Sequence, residues 1–284
     1  MITASSAGTW TLGDLTVNRI GFGAMRLTGN GSAASDRARV VGVLRQAVEL
    51  GVNHIDTAAF YFSPLRSANE LINSALSPYA DDLVITTKVG PGRDPSGEWL
   101  PLARPDQLRG QVEENLRQLG RDHLDVVNLR QHGLDSVAEH IGALAELRDA
   151  GLIRHLGLSN IRPQHLAQAQ AIAPVVCVQN PYGVDTRRIH DQFVRTCGEQ
   201  GVAFVPFFAI AGDGREAGGV ATNEAVHAIA RTHGVTPAQV RIAWTLSRGP
   251  HLLAIPGTGN PDHLVENLAA GALRLSSEEL ASLE

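Results

Sequence analysis

From Asp36 onward the apolar residues Val40, Val41, Leu44, Ala47 and Val48 recur at helical spacing, and Gly51 stops the run before the short stretch VNHID, residues 52–56. The same order is repeated three times. EENLRQLG ends at Gly120 before HLDVVNL, AELRDAG ends at Gly151 before IRHLGLS, and VRTCGEQG ends at Gly201 before VAFVPF. A glycine accepts the left-handed conformation that ends a helix, and a compact apolar run after it suits a strand covered on both faces. This alternation predicts a parallel α/β sheet.

RIGFGAM (19–25), LVITTKV (83–89), VVCVQN (175–180) and LLAIPGT (252–258) bring the predicted strands to eight, with helices between them. Eight βα units in about 250 residues describe a closed (β/α)8 TIM barrel, so the prediction is one α/β barrel domain over residues 1–284. Gly8 and Gly13-Asp14 mark a small N-terminal β-hairpin that closes the barrel bottom. Residues 222–233 predict an extra helix ahead of the one from Pro237 to Ser247, and the long loops are 91–105 and 212–220. Both loops follow strands, on the side where such barrels carry their sites.

Composition narrows the function. The chain has 284 residues, 43% of them apolar, and a net charge of -5 without a Lys/Arg-rich run. That gives no footprint for nucleic acid or for a polybasic membrane contact, so the expected partner is a small molecule. The first ten residues lack the basic and apolar regions of a signal peptide, which predicts a cytoplasmic protein, monomeric or weakly associated. Cys177 and Cys197 are too few and too isolated for a disulfide framework or a zinc site, and no metal is expected.

The polar residues that end the predicted strands belong on one mouth. They are Asp56, Lys88, Arg130, Ser159 with Asn160, and Gln179 with Asn180, while Thr258 follows the last strand and Tyr61 lies five residues beyond Asp56. Any one of them alone reads as a rim ion pair or a loop residue. Together, an Asp, a Lys and a Tyr form a proton donor: Lys88, held and kept charged by Asp56, favours tyrosinate, and the phenol can protonate a carbonyl oxygen. A hydride must then come from a cofactor.

The strings NHIDTAAFY, TTK, GLSN, VQN and IPGTGNPDHLVEN, in this order and at these strand ends, resemble the aldo-keto reductase superfamily from about Arg19 to Asn267. The resemblance implies a barrel enzyme reducing a small aldehyde or ketone with NADPH, with Asp56, Tyr61 and Lys88 as three of four catalytic residues. It implies that Ser159, Asn160 and Gln179 hold the nicotinamide carboxamide, to whose donor and acceptor their groups are suited. Further cofactor contacts implied are Gly23, Ala24 and Met25 after the first strand, and Phe207 with Phe208 as the stacking face. In the last loop and helix they are Gly257, Thr258, Gly259, Asn260 and His263, with Glu266 and Asn267 at the adenine.

Two departures from the pattern carry chemistry. The fourth catalytic residue is usually a histidine ending the fourth strand; here Arg130 stands in that place and His132 falls two residues late. A guanidinium can stabilise charge on the substrate oxygen but cannot be the acid, which assigns the proton to Tyr61. The alternative is that Arg130 pairs with Asp135 and His132 swings inward. The Lys-Ser pair and the Arg that often grip the 2'-phosphate are replaced by Gly257, Thr258 and His263, which leaves NADH as a second cofactor beside NADPH. The strings DVVNLR, VCVQN, VPFF and IPGT resemble a bacterial, pyridoxal reductase-like branch, implying a pyridoxal-like or other aromatic aldehyde. Two other functions fit the same barrel: a nucleotide-sensing binding module, and a non-redox lyase or isomerase.

Overall fold

The computed structural model describes residues 3–28, 36–185, 190–207 and 223–284. The chain opens with an antiparallel hairpin of β1 (Thr9–Leu12) and β2 (Leu15–Asn18), turning at Gly13 and Asp14 as expected. Then follow β3 (Phe22–Gly23), α1 (Arg37–Glu49), β4 (His54–Asp56), the small ribbon β5 (Phe62–Ser63) and β6 (Arg66–Ser67), and α2 (Ala68–Leu76). The middle of the chain is β7 (Val84–Val89), α3 (Leu108–Leu119), β8 (Leu124–Arg130), α4 (Ala138–Asp149), β9 (Ile153–Ser159), α5 (Pro163–Gln170) and β10 (Val175–Gln179). It ends with α6 (Asp191–Glu199), β11 (Ala203–Phe204), α7 (Glu224–His233), α8 (Pro237–Ser247), α9 (Pro261–Ala269) and α10 (Ser277–Ser282).

Local chemistry explains where the helices begin and stop. Asp36 caps α1 by accepting from the amides of Ala38 and Arg39, and Thr236 with Gln239 forms a capping box ahead of Pro237 on α8. Gly120, at φ 64°, terminates α3 in the left-handed conformation the sequence pattern anticipates. Helix α7 lies within the extra-helix segment expected from the sequence.

β11, β10, β9, β8, β7, β4 and β3 form one parallel sheet in that order. The expected eighth strand, LLAIPGT, makes isolated bridges instead of a ladder: Leu252 to Phe204 at one edge and Ala254 to Ile20 at the other. Its amides and carbonyls are nonetheless used. Leu253 N donates to Phe204 O at 3.0 Å, Ala254 N to Arg19 O at 2.8 Å, and Gly21 N to Ala254 O at 2.8 Å. Pro256, which lacks an amide hydrogen, can only accept here, and its carbonyl takes the Gly23 amide at 3.2 Å. β11 is cut short, to two residues, ahead of Pro206.

Period-two alternation sorts the strands into an inner and an outer face. Val84, Val126, Val176, Cys177, Ala203 and Leu253 make one apolar cluster into which the hairpin inserts Leu12 and Val17, both fully buried. Full burial of each such side chain stabilises by about 1.5–3 kcal/mol, so the hairpin is a packed plug. The alternate residues Ile85, Val127, Leu129 and Leu158 join the larger core beneath the helices. Among the described residues no helix is long and apolar enough to cross a membrane, and no group of three or more His, Cys, Asp or Glu could hold a metal ion.

Candidate active site

Strand pairing sets the site in three rungs. Asp56 of β4 lies opposite Thr86, Lys88 of β7 opposite Asn128, and Ser159 of β9 between Arg130 of β8 and Gln179 of β10. Lys88, two residues beyond Thr86, therefore shares a face with it and reaches back to Asp56. Its Nζ donates to Asp56 Oδ1 at 2.5 Å and to Thr57 O at 2.9 Å, and both charged side chains are nearly fully buried. The other carboxylate oxygen, Oδ2, accepts from Gln179 Nε2 at 2.5 Å. Asp56 is thus gripped from both sides.

Tyr61 brings its ring within 4.9 Å of Lys88 Nζ, measured to the centroid. A turn places it there: Tyr61 N donates to Ala58 O at 3.0 Å, and Tyr61 O accepts from Ala68 N at the start of α2 at 2.9 Å. The ring packs edge-on to Phe60, which meets Trp99 of the loop after β7 in the same way. Burial pulls the Lys88 amine downward, but the Asp56 charge and the attractions and hydrogen bonds of both Asp56 and Tyr61 together outweigh it, and the net direction is upward. The amine is held protonated. The expected meeting of residues 56, 61 and 88 is present.

Arg130 ends β8 half-buried, its guanidinium carbon 5.3 Å from the Phe207 ring centroid. It does not turn to Asp135, which is exposed and whose nearest ion-pair partner, at 3.8 Å, is Arg162. His132 is exposed and lies beyond the strand. Arg130, and not His132, is therefore the residue that ends the strand, with Phe207 as a platform beneath it.

Among the described residues, Ser159 Oγ and Gln179 Oε1 are buried without a hydrogen-bond partner. Buried polar atoms are almost always paired, so two orphans on paired neighbouring strands mark a place for a ligand. A hydroxyl, which donates or accepts, beside a carbonyl acceptor suits a carboxamide, so the residues fit the nicotinamide end of the expected cofactor. Asn160 contributes differently: at φ 59° its side chain donates to Gln131 O at 3.1 Å, while Gln131 Nε2 donates back to Asn160 O. Asn180 locks the same turn, accepting from Ile161 N at 2.9 Å and donating to Ile161 O at 2.7 Å.

The remaining described candidates lie at the end of β3, whose Gly23 pairs with Asp56, and along the segment and helix that follow Pro256. Gly23 and Gly257 touch backbone to backbone, so closely that a Cβ on Gly257 would collide with Gly23 O. Ala24 N donates to Asp56 O at 2.8 Å, and Met25 is exposed beside it. Thr258 Oγ1 accepts from Asn260 N at 3.0 Å, and Asn260 Oδ1 caps α9 by accepting from Asp262 N at 3.0 Å, so this helix end already has one amide satisfied by its own cap. Gly259 O accepts from Arg39 Nε at 3.1 Å. His263 is exposed, Glu266 half-buried and Asn267 buried along α9. Phe208 and the loop 212–220 lie outside the described residues.

Sequence reasoning missed Gln131, Arg39 and Thr57. Gln131 and Thr57 are direct neighbours of Arg130 and Asp56, but they point to the other face of their strands, and Arg39 reaches Gly259 from a helix 220 residues earlier. His54, the first residue of β4, is buried, its Nε2 3.3 Å from Thr86 Oγ1, and burial pushes it down to about 4. Burial pushes the Cys177 thiol up to about 12, which leaves it inert.

The match to known proteins agrees with this geometry. The chain is 43% identical to pyridoxine 4-dehydrogenase of Escherichia coli K12, over 98% of this chain and 98% of that protein, and 30% identical to the methylglyoxal reductase YeaE of the same strain, over 96% and 92%. Among solved structures, the thermostable aldo-keto reductase Tm1743 in complex with epalrestat superposes with a TM-score of 0.80 at 29% identity, covering 97% of this chain and 98% of that one. A Klebsiella pneumoniae aldo-keto reductase in complex with NADPH gives 0.80 at 27% identity, covering 97% and 93%. With the family model described as Aldo/keto reductase family matching residues 19–284, and a Lys-Asp-Tyr cluster at the strand ends where that match lies, the chain belongs to the aldo/keto reductase family.

Proposed function

We propose that this chain is an NADPH-dependent reductase of small aldehydes and ketones, in which Tyr61 hands the proton to the carbonyl oxygen. The observation that carries the reading is the buried Lys88 ammonium, 2.5 Å from Asp56 and 4.9 Å from the Tyr61 ring centroid. When bound, the nicotinamide cofactor supplies the hydride; Ser159 and Gln179 would hold its carboxamide through the two atoms they leave unpaired. Asp56 keeps Lys88 charged, and that charge stabilises the phenolate left when Tyr61 has given up its proton. Arg130, fixed over Phe207, stabilises the negative charge that develops on the carbonyl oxygen and, being always protonated, leaves the acid role to Tyr61. The same groups serve alcohol oxidation in reverse.

The family match and the hydrogen bonds of residues 251–256 to both sheet edges support a single (β/α)8 barrel in which this segment is the eighth strand. The similarity to pyridoxine 4-dehydrogenase, with exposed Trp99 and half-buried Phe62 on the loops beside Tyr61, supports a flat aromatic substrate of the pyridoxal kind. The absence of a Lys or Arg among residues 256–263 keeps NADH as a second cofactor. Tyr61→Phe is the test: NADPH oxidation with pyridoxal or benzaldehyde should fall by roughly 10² or more, the loss expected on removing a general acid. Fluorescence titration should show NADPH still bound. Turnover within threefold of the parent would remove Tyr61 from the role, and equal rates with pyridoxal and benzaldehyde would remove the preference for pyridoxal.

A further inference from the structure

Helix α3 carries three amides, Gln111, Asn115 and Gln118, at the i, i+4, i+7 spacing that stacks them on one face. The face is turned toward the sheet. Gln111 brackets Gly90, accepting from its amide at 2.7 Å and donating to its carbonyl at 3.3 Å. Asn115 Oδ1 accepts from Thr87 Oγ1 at 2.6 Å and from Asn69 Nδ2 at 2.9 Å, and its own Nδ2 donates to Gln111 O at 2.8 Å. Gln118 Oε1 takes a further bond from Asn69 Nδ2 at 3.0 Å, and Asn69 Oδ1 accepts from Thr57 Oγ1 at 2.7 Å. Thr57, Thr87, Asn69 and Asn115 are fully buried.

This chain of bonds ends on the backbone that presents the proton-transfer groups. Thr87 precedes Lys88 and Gly90 follows two residues later, so fixing them from outside aims the intervening lysine at the barrel interior. Thr57 O is an acceptor of Lys88 Nζ, and the start of α2, where Asn69 sits, holds Tyr61 through the Ala68 amide. We propose that Thr57, Asn69, Thr87 and Asn115 form a buried positioning relay on the outer face of the sheet that sets Lys88 against Tyr61. The proposal rests on the roles given above to those two residues. A bond network of this kind fixes relative position, because the hydroxyls of Thr57 and Thr87 give up their buried acceptors if Asn69 or Asn115 shifts.

Thr87→Val removes the hydroxyl and keeps the branched shape suited to a strand, and Thr87→Ser restores the hydroxyl. The readout is the split between kcat and KM for the aldehyde, with NADPH affinity followed by fluorescence titration. In Thr87→Val kcat should fall roughly tenfold, within the loss that a 1 Å misplacement brings, while KM and NADPH affinity stay within about twofold of the parent, because the contact disturbed is one made in the transition state. Thr87→Ser should return kcat, and Thr57→Val, which cuts the relay at its other end, should reproduce the loss. Folded variants, by circular dichroism, whose kcat stays within about twofold of the parent would overturn the relay. So would Thr87→Ser behaving like Thr87→Val, or a loss of NADPH affinity that matches the loss of kcat. A Tyr61→Phe enzyme that keeps its turnover would instead overturn the proton-donor reading.

Discussion

Removing both partners of the Lys88–Asp56 pair should cost less than the sum of removing each alone. Lys88→Met leaves the Asp56 carboxylate buried with Gln179 Nε2, and Asp56→Asn leaves a buried ammonium facing Thr57 O. Each single change should destabilise by about 3–5 kcal/mol, the cost of stranding one charge where neither side chain reaches water. In the double variant no charge remains, the introduced amide can still accept from Gln179, and the introduced thioether fills the volume of the lysine stem. Its loss should be smaller than the sum of the singles by about 2 kcal/mol or more, at the upper end for contacting residues. The measurement is urea unfolding at neutral pH, read from the midpoints with the slopes checked for equality. Because the folded-state pKa of Lys88 is raised, its contribution is complete below the unfolded value near 10 and is lost only as pH rises through the folded one, so the cycle is unaffected by small changes around pH 7. Additivity within about 0.5 kcal/mol would refute the pairing. A double variant as stable as the parent but without reductase turnover would place the pair in the chemistry.

Acid should find a second weak point at His54. Burial is the main cause of its low folded-state value of about 4, with Lys88 adding to it and Asp56 opposing, so between that value and the unfolded 6.5 the unfolded chain binds more protons. Stability attributable to His54 is complete above pH 6.5 and falls by up to about 1.4 kcal/mol per unit, roughly 3 kcal/mol in all, as pH drops to 4. His54→Asn should flatten the slope of unfolding free energy over that window, and an unchanged slope would show that the imidazole is accessible to protons in the folded state. For the substrate oxygen, Arg130→Met should lower turnover by roughly 10²–10³, as loss of an oxyanion donor does, while His132→Ala should stay within about twofold, the behaviour of an exposed residue away from the site. Steady-state NADPH oxidation decides it, and the reverse ranking would make His132 the oxygen-stabilising group.

The legible part of the site came from periodicity. Asp56, Lys88, Arg130, Ser159 and Gln179 each end an apolar run, and in a parallel sheet strand ends gather on one side, so their common location needs only local pattern and direction. The glycines at 51, 120, 151 and 201, all at positive φ, punctuate that pattern because few other residues accept the conformation.

Which side chains touch was decided by register, a relation between distant segments. The Gln179–Asp56 bond joins residues 123 apart, and nothing near either predicts it. Asn160 was readable as a strand-end amide, but its positive φ and its exchange with Gln131 arise from the turn into which β9 and β10 force it. The polar stripe of α3 was present in the sequence as three amides at helical spacing; only packing against β7 and α2 turned them inward and left Thr57 and Thr87 dependent on them. Likewise the apolar run at 252–255 identified a sheet segment, while only the folded chain set it between Phe204 and Ile20, with a bridge to each. Sequence set the period and the ends of each element, because those are costs paid within a few residues. Contact between elements depends on how the sheet curls, and that is a property of the folded chain as a whole.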